Sequence, residues 1–339
     1  MDWSRSYTAT WRVFRVNRDT WADGEQITGV DSVSISRMSD GSLLESGNVE
    51  VTGQFETDYY RVVMTAEQGG ELERVNVATM LFDVAGGTVD YDTDVKSING
   101  LSVLFPASVT AVTTGEYAPE GVDGALYAGE LLESAINAPV EVEGSFILDD
   151  HIVFELGATV LDAAWTVLEA GNFVIQIDGE GIVHVMPKPT EPSLILDSTS
   201  SGLLENGITY TEDMSKIPNR YVVIDGTTVT VAENNSANSI VSTVSRGYRV
   251  DLIDTSPTPV DGKTMSEYAN EKLAEASIMK SEKTYTREYA PNVYPYSIIR
   301  ASIDGLDGDM RVESQSITCD TGISVNEKAS IEVNLWTSE

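Results

Sequence analysis

The sequence is poor in the residues on which many enzymes and metal proteins depend. Its one cysteine, Cys319, excludes a disulfide within the chain and a cysteine-based zinc cluster. Two histidines, His151 and His184, are too few for a histidine-rich metal site or a proton relay. No run approaches the roughly 18 apolar residues that cross a bilayer, and the first residues lack the apolar core of a signal peptide. We therefore expect that the protein does not insert into a membrane and that it folds in a cytoplasm.

Basic residues are scarce as well. Lysine and arginine number 21 against 54 acidic residues, a formal net charge of −33, and neither occurs between Lys96 and Lys188. This balance excludes a basic surface for duplex DNA and makes attraction to an anionic membrane unfavourable. Two interpretations of the acid remain open. It is either the solvated surface of a protein from a salt-adapted host or a surface that repels another polyanion.

Most of the chain shows the two-residue alternation of β-strands. Its 339 residues, 41% of them hydrophobic, are enough for two or three domains with real cores. In residues 1–115 the alternation predicts an antiparallel barrel or sandwich. The strands are expected at residues 7–13, 30–36, 48–55, 59–65, 72–84 and 101–113. Turns are expected at Asp23-Gly24, Asp40-Gly41, Gly69-Gly70, Gly86-Gly87 and Asn99-Gly100.

Residues 116–190 have a different pattern, which predicts an α+β insertion. Apolar residues recur at helical spacing over 125–136, with Asp123 as the N-cap. A second helix is predicted over residues 160–170, because Thr159 and Asp162 have capping-box spacing. Strands at 173–177 and 182–186 flank the turn sequence DGEG and predict a hairpin.

Residues 191–339 return to β-structure and predict a second β-domain. One helix is expected over residues 265–279, where Thr264 and Glu267 have capping-box spacing. Strands are expected at residues 208–211, 220–224, 228–232, 284–289, 298–303, 310–320 and 330–336. The domains are therefore predicted at 1–115, 116–190 and 191–339.

Candidate catalytic and metal-binding residues are present, but none has a specific signature. Close carboxylate pairs occur at Asp149-Asp150 and at Glu141 with Glu143, as chance predicts among 54 acids. His151 follows one pair without a nucleophile elbow, and His184 lies on a predicted hairpin strand. The acidic runs 90–94 and 304–309 could offer oxygen ligands to calcium, yet neither matches an EF-hand loop and surface turns explain both. We predict no catalytic, metal or cofactor site.

Four segments in the second half resemble the tail-hub proteins of tailed phages, the baseplate-hub or tail-tip hub family. The first two are a helix ending at a strand and the hairpin that follows it, and the others are an IPN-strand and a later helix. They read AAWTVLEAGNF at 163–173, IDGEGIVHVMP at 177–187, IPNRYVV at 217–223 and YANEKLA at 268–274. The resemblance covers about residues 123–335.

This resemblance implies a structural virion protein and not an enzyme. It implies two tube-like antiparallel β-barrel domains, 1–115 and 191–339, with the α+β insertion between them. A homotrimer would join the tail tube to the tip or spike and form a channel for DNA. Its partners would be the tail tube or distal tail protein, a spike or tip-fibre protein and the tape-measure protein. The location would be the virion tail, assembled in the host cytoplasm.

The charge fits such a channel. Because a basic wall would hold DNA through its phosphates, we expect part of the acid in residues 31–190 to line the lumen. Residues 1–30 have equal numbers of acidic and basic residues and are neutral overall. They contain arginines and the tryptophans Trp3, Trp11 and Trp21, which either favour contacts with a neighbouring subunit or belong to the core. The alternatives are a carbohydrate-binding or adhesive β-rich protein of a tail tip or cell surface, and a hydrolase with an unrecognised carboxylate pair.

Overall fold

Strand pairing dominates the computed structural model, which describes residues 1–39, 43–52, 55–90, 92, 94–112, 117–197, 199–200, 207–257, 263–303 and 305–335. Half of the residues lie in strands and 14% in helices, so the predicted mainly β fold is confirmed. The chain divides into two compact units. The large unit is Met1–Ile208 with Thr284–Ala329, and the small unit is Thr209–Lys283 with Ser330–Glu339. The three-domain division predicted from the sequence remains a prediction.

Seven strands form from the alternating segments at the start of the chain. They are β1 (Thr8–Val16), β2 (Asp23–Ile27), β3 (Val30–Met38), β4 (Glu45–Val51), β5 (Asp58–Gln68), β6 (Glu71–Asp90) and β7 (Val95–Leu101). Their hydrogen-bonded order is β3-β4-β7-β6-β5-β1-β2. Alternation sends Val33, Ile35 and Val49 into one core with Tyr60 and Met80, which is the burial that fixes strand register.

The insertion forms the predicted helices and hairpin. A short helix, α1 (Phe105–Val109), precedes it. The elements of the insertion are β8 (Tyr117–Ala118), α2 (Gly124–Glu133), β9 (Val140–Val142), β10 (Ile152–Val153), α3 (Val160–Ala170), β11 (Phe173–Ile177) and β12 (Val183–Pro187). The Asp123 carboxylate accepts hydrogen bonds from the first-turn backbone of α2, and Thr159 with Asp162 forms the capping box of α3. β11 and β12 pair antiparallel, and β9 joins β12 in parallel. The helix and hairpin predictions are confirmed.

One predicted strand, residues 101–113, is wrong. β7 ends at Leu101, and α1 follows over Phe105–Val109, while Thr113 lies outside the described residues. Pro106 stands at the start of this helix, where its fixed φ and missing N–H cost nothing. The Thr110 N–H and hydroxyl both donate to the Pro106 carbonyl and end the turn. Pro106 within the alternating pattern is the sequence feature that argues against a strand here.

Three predicted turns are also wrong, because their glycines lie within strands, the first of them being Gly24 in β2. Gly87 belongs to β6, and a Cβ there would lie 2.2 Å from the Ser97 carbonyl oxygen of β7. Gly100 lies inside β7, where a Cβ would lie 2.7 Å from the Phe82 ring. Gly87 and Gly100 are needed for close approach rather than for a turn. The predicted turn at Asp40-Gly41 lies outside the described residues.

The chain continues through β13 (Pro192–Leu196) into the small unit. The elements of that unit are β14 (Thr209–Glu212), β15 (Arg220–Asp225), β16 (Thr228–Glu233), α4 (Thr243–Arg246), β17 (Asp251–Asp254) and α5 (Met265–Ala276). β15 pairs antiparallel with β16 and in parallel with β17. The predicted capping box of Thr264 and Glu267 starts α5. Tyr268 and Leu273 of α5 pack on Tyr221 of β15, forming a separate core.

Four final strands complete the chain, β18 (Ile278–Glu288), β19 (Ile298–Ile303), β20 (Leu306–Cys319) and β21 (Ile323–Asn334). The predicted end of the last strand, Trp336, lies outside the described residues. β20 pairs antiparallel with β3, so the first and last parts of the sequence share a sheet. β19 pairs with β20 and, in parallel, with β13. In the described part of the chain, no helix is long and apolar enough to cross a membrane.

Candidate functional site

The hairpin of β11 and β12 brings three carboxylates around His184. The Nε2 atom of His184 lies 3.2 Å from Asp178 Oδ2, in the hairpin turn. The parallel register of β9 with β12 places Glu141 and Glu143 on the other side of the ring, 3.7 and 3.5 Å from Nδ1. The hydrogen bond that His184 donates to Asp178 and the charges of these carboxylates raise the pKa of His184 against the opposing effect of burial. The three carboxylates therefore stabilise the protonated, positively charged ring of His184.

We expect a pH-dependent contribution of His184 to stability. Because its pKa is higher in the folded than in the unfolded chain, the stabilisation is complete below the unfolded value of about 6.5 and is lost as pH rises through the folded value. The measurement is the free energy of urea unfolding of the native chain and of His184→Gln between about pH 5.5 and 9. Their difference should shrink with rising pH. Asp178→Asn should reduce the same dependence, and a difference that is flat in pH would contradict the assignment.

The other catalytic candidates are not assembled into a reaction centre. His151 Nδ1 lies 3.2 Å from Asp150 Oδ1, but the two side chains are 60% and 86% exposed. The His151 ring otherwise meets the edge of Tyr117, with centroids 6.5 Å apart. An exposed pair of this kind is solvated, and the interaction contributes little to stability. The structure brings Glu141 and Glu143 together only around His184.

Neither acidic run is arranged as a metal site in the part of the chain that the structure describes. No group of three or more His, Cys, Asp or Glu side chains could hold an ion there. Asp309 of the second run is instead paired with Arg300, at 2.7 and 2.8 Å. Asp304, Tyr91 and Thr93 lie outside the described residues. Around His184 the carboxylates approach opposite ring nitrogens, so they do not converge on one point.

The DGEG turn of the hairpin has a structural function in the large unit. The Gly179 carbonyl accepts from Thr79 Oγ1 at 3.0 Å, and the Gly179 N–H donates to the Tyr294 hydroxyl at 3.2 Å. The Glu180 carbonyl accepts from Arg61 Nη2 at 2.9 Å and also from Trp21 Nε1. A Cβ at Gly179 would lie 1.9 Å from a backbone oxygen of β6. The sequence indicated the hairpin but not the four side chains that hold its turn.

The IPN segment has an equivalent function in the small unit. Asn219 is fully buried, and its Nδ2 donates to the carbonyls of Val241 and Tyr248 at 3.1 and 3.0 Å. Its Oδ1 accepts from the Val250 N–H at 2.8 Å. One side chain thus satisfies three backbone groups of two loops. Two of the four segments that carry the resemblance therefore hold turns or loops in place.

Two buried ion pairs lie in the large unit, and sequence patterns gave no sign of either. Arg287 and Glu327 are 1% and 0% exposed, with Nη2 and Oε2 2.6 Å apart. Burial opposes the charged carboxylate, but Arg287 and the hydrogen bonds lower the pKa of Glu327. The second pair is Arg37 and Glu45, whose Nε and Oε1 atoms lie 2.8 Å apart. Removing one member of such a pair is costly because it leaves an uncompensated buried charge.

The three N-terminal tryptophans are half-buried and make contacts within the chain. Trp3 meets Tyr7 edge to face, with centroids 5.3 Å apart. Trp11 Nε1 donates to the Asp320 carbonyl at 2.7 Å. Trp21 Nε1 donates to the carbonyl of the DGEG turn at 2.8 Å. Each indole therefore already has a structural role inside the large unit.

Comparisons with known proteins identify the fold. Neither a protein-family model nor a curated protein matches the sequence. Among solved structures, the tail protein of Neisseria meningitidis is similar with a TM-score of 0.66 at 13% identity, covering 97% of this chain and 98% of that one. The prophage MuSo2 43 kDa tail protein of Shewanella oneidensis gives 0.63 at 12% identity, with 95% and 98% covered.

A chain of the Francisella PdpA–VgrG complex is also similar, with a TM-score of 0.56 at 8% identity, covering 98% of this chain and 60% of that one. Identities this low show a shared fold alone. The two tail proteins match this chain almost from end to end. The chain therefore has the fold of phage tail proteins, and the resemblance to that class found in the sequence is confirmed at the level of the fold.

Proposed function

We propose that this chain is a non-catalytic structural subunit of a phage-type tail, located in the virion at the tip or baseplate. The observation that supports this most is the end-to-end match to two tail proteins, at TM-scores of 0.66 and 0.63. The organisation of the candidate residues agrees with it. Asn219 and the residues around the DGEG turn hold loops, and His184 is engaged by the carboxylates around it.

The subunit closes into a homotrimeric ring that joins the tail tube to the tip or spike. Its two tube-like domains, residues 1–115 and 191–339, would together supply six barrel walls per ring, with the insertion 116–190 attached. The proposed neighbours are the tail tube or distal tail protein, a spike or tip-fibre protein and the tape-measure protein. Assembly takes place in the host cytoplasm.

The charge distribution supports DNA passage through this ring. The small unit has 13 acidic and 8 basic residues, a net charge of −5, so the large unit carries −28. Phosphates of passing DNA would be repelled by an acidic wall, whereas lysine and arginine would bind them and release counterions. We propose that part of the acid in residues 31–190 lines the lumen and keeps DNA from sticking.

The test is cryo-electron microscopy of the purified full chain and of tails that contain it. We expect a threefold ring with a mass of three 36.7 kDa chains and a channel wide enough for duplex DNA. A ring whose carboxylates of residues 31–190 all face outward would refute the acidic lumen. Tails that assemble normally and lack the protein at tip and baseplate would refute the hub function.

The adhesive alternative receives less support. Such a protein would use tryptophan and aspartate clusters to bind a glycan, and Trp3, Trp11 and Trp21 all make contacts within the chain. Glycan-array binding by the isolated protein would restore that alternative, and its absence together with a ring would favour the hub.

A further inference from the structure

One face of the sheet in the small unit is apolar and uncovered. Strand alternation sends Tyr221, Val223 and Ala232 toward α5 and the intervening residues to the opposite face. That opposite face, the outer sheet face, is formed by Val222, Ile224, Val229, Val231 and Ile253. The register makes these five side chains neighbours, since Val222 lies opposite both Val231 and Ile253, and Ile224 lies opposite Val229.

The exposure of this face is unusual for a sheet. Val229 and Ile253 are each 59% exposed and Val231 is 42% exposed. A sheet that is apolar on both faces is typical of one that is covered on both sides. A contiguous apolar patch on an otherwise charged protein marks a contact site. The composition of the face therefore indicates a second covering layer.

A groove continues the outer sheet face past its polar end. Arg220 is paired with Asp251 at 3.0 Å and lies 3.6 Å from Glu233. From Glu233 the groove, about 450 Å³ in volume, runs along Tyr248 and Arg249. Arg249 is exposed, and its guanidinium has no ion-pair partner in the part of the chain described. The surface thus combines apolar area with a free cation.

A complementary surface exists in the large unit of the same protein. The short ladder of β8 and β10 pairs Tyr117 with Val153, which are 51% and 66% exposed, and Leu156 is 88% exposed. The exposed Asp150 lies beside this ladder through its contact with His151. We name it the acidic ladder surface, because no lysine or arginine occurs between residues 96 and 188.

We propose that the outer sheet face and its groove bind the acidic ladder surface of a second copy, head to tail. Both units are net negative, at −5 and −28, so the attraction is local: the exposed Arg249 of the groove faces the exposed Asp150 of the acidic ladder surface. Two acidic ladder surfaces facing each other would repel. A heterologous contact of this kind generates a ring when its rotation closes. The inference rests on the ring-forming subunit proposed above and assigns its contact residues.

The experiment measures self-association of the full chain by sedimentation velocity up to about 1 mM, a range that detects weak contacts. Val229→Asp and Arg249→Glu should each weaken association by about tenfold or more, because one places a charge in apolar contact and the other brings like charges together. Leu72→Asp, at a 70% exposed apolar residue of the large unit, and Lys216→Glu, at an exposed base of the small unit, are the matched controls and should change it little.

A charge exchange identifies the partner surface. Asp150→Lys alone should weaken association, and Asp150→Lys combined with Arg249→Glu should restore most of it, since the ion pair is rebuilt in reverse. Thermal unfolding of each variant shows that the fold is intact. The proposal would be overturned if the wild-type chain stays monomeric at about 1 mM. It would also be overturned if Val229→Asp and Arg249→Glu leave ring formation unchanged. If the variants form rings as the wild type does, only the assigned contact residues are refuted. The hub function is tested separately by microscopy of the tails.

Discussion

Replacing Arg287 by alanine is expected to lower the free energy of unfolding by about 3–5 kcal/mol. The substitution leaves the fully buried carboxylate of Glu327 without its ion pair. The remaining partners, the Tyr285 hydroxyl at 2.6 Å and Gln315 Nε2 at 2.7 Å, are neutral donors and do not replace a full positive charge. Urea unfolding followed by circular dichroism measures the loss.

The matched control is the exposed pair of Arg300 and Asp309. Their side chains are 54% and 50% exposed, so Arg300→Ala should lower the free energy of unfolding far less than Arg287→Ala does. Changing Arg287 and Glu327 together to methionine should recover most of the stability, because both buried charges disappear. If Arg287→Ala cost as little as Arg300→Ala, the carboxylate would have to be solvated or neutral in the folded chain.

The second large effect is expected from Gly179→Ala. The new Cβ would lie 1.9 Å from the Asn76 carbonyl oxygen, a distance that forces the turn away from β6. The displacement also strains the hydrogen bonds of Gly179 with Thr79 and Tyr294. We expect a loss of about 3 kcal/mol, as for an overpacked core position. Hydrogen exchange should show the amides of β11 and β12 losing protection first.

Gly322→Ala is the control for this glycine, because nothing lies within 4 Å of a Cβ at Gly322. Its free energy of unfolding should stay the same or rise by up to about 1 kcal/mol, since alanine restricts the unfolded chain. Equal effects at the two positions would show that the turn is not held against β6.

Local patterns were sufficient where neighbours in sequence make the structure. The capping boxes of Thr159 with Asp162 and Thr264 with Glu267 lie three residues apart, so the sequence predicted both helix starts. The hairpin around DGEG followed for the same reason. The misplaced turn at Gly87 shows the limit, since the reason for that glycine is the Ser97 carbonyl on another strand.

The site depended on contacts between distant residues. His184 meets Glu141 only because β9 joins β12 in parallel, a pairing that no local pattern encodes. Arg287 and Glu327 are forty residues apart in the sequence and touch only in the folded sheet. Among 54 acidic residues, composition could not single out the few that are buried.

By itself the sequence determined the mainly β class, the helices and hairpin of the insertion, the acidic surface and the resemblance to tail hubs. These follow from periodicity, capping and composition, which act over a few residues or over the whole chain. Only the tertiary structure decided which side chains hold the DGEG turn, which charges are buried in pairs and which sheet face is left uncovered. Those features depend on strand register between distant segments, and register is fixed by packing against neighbours that the sequence does not name.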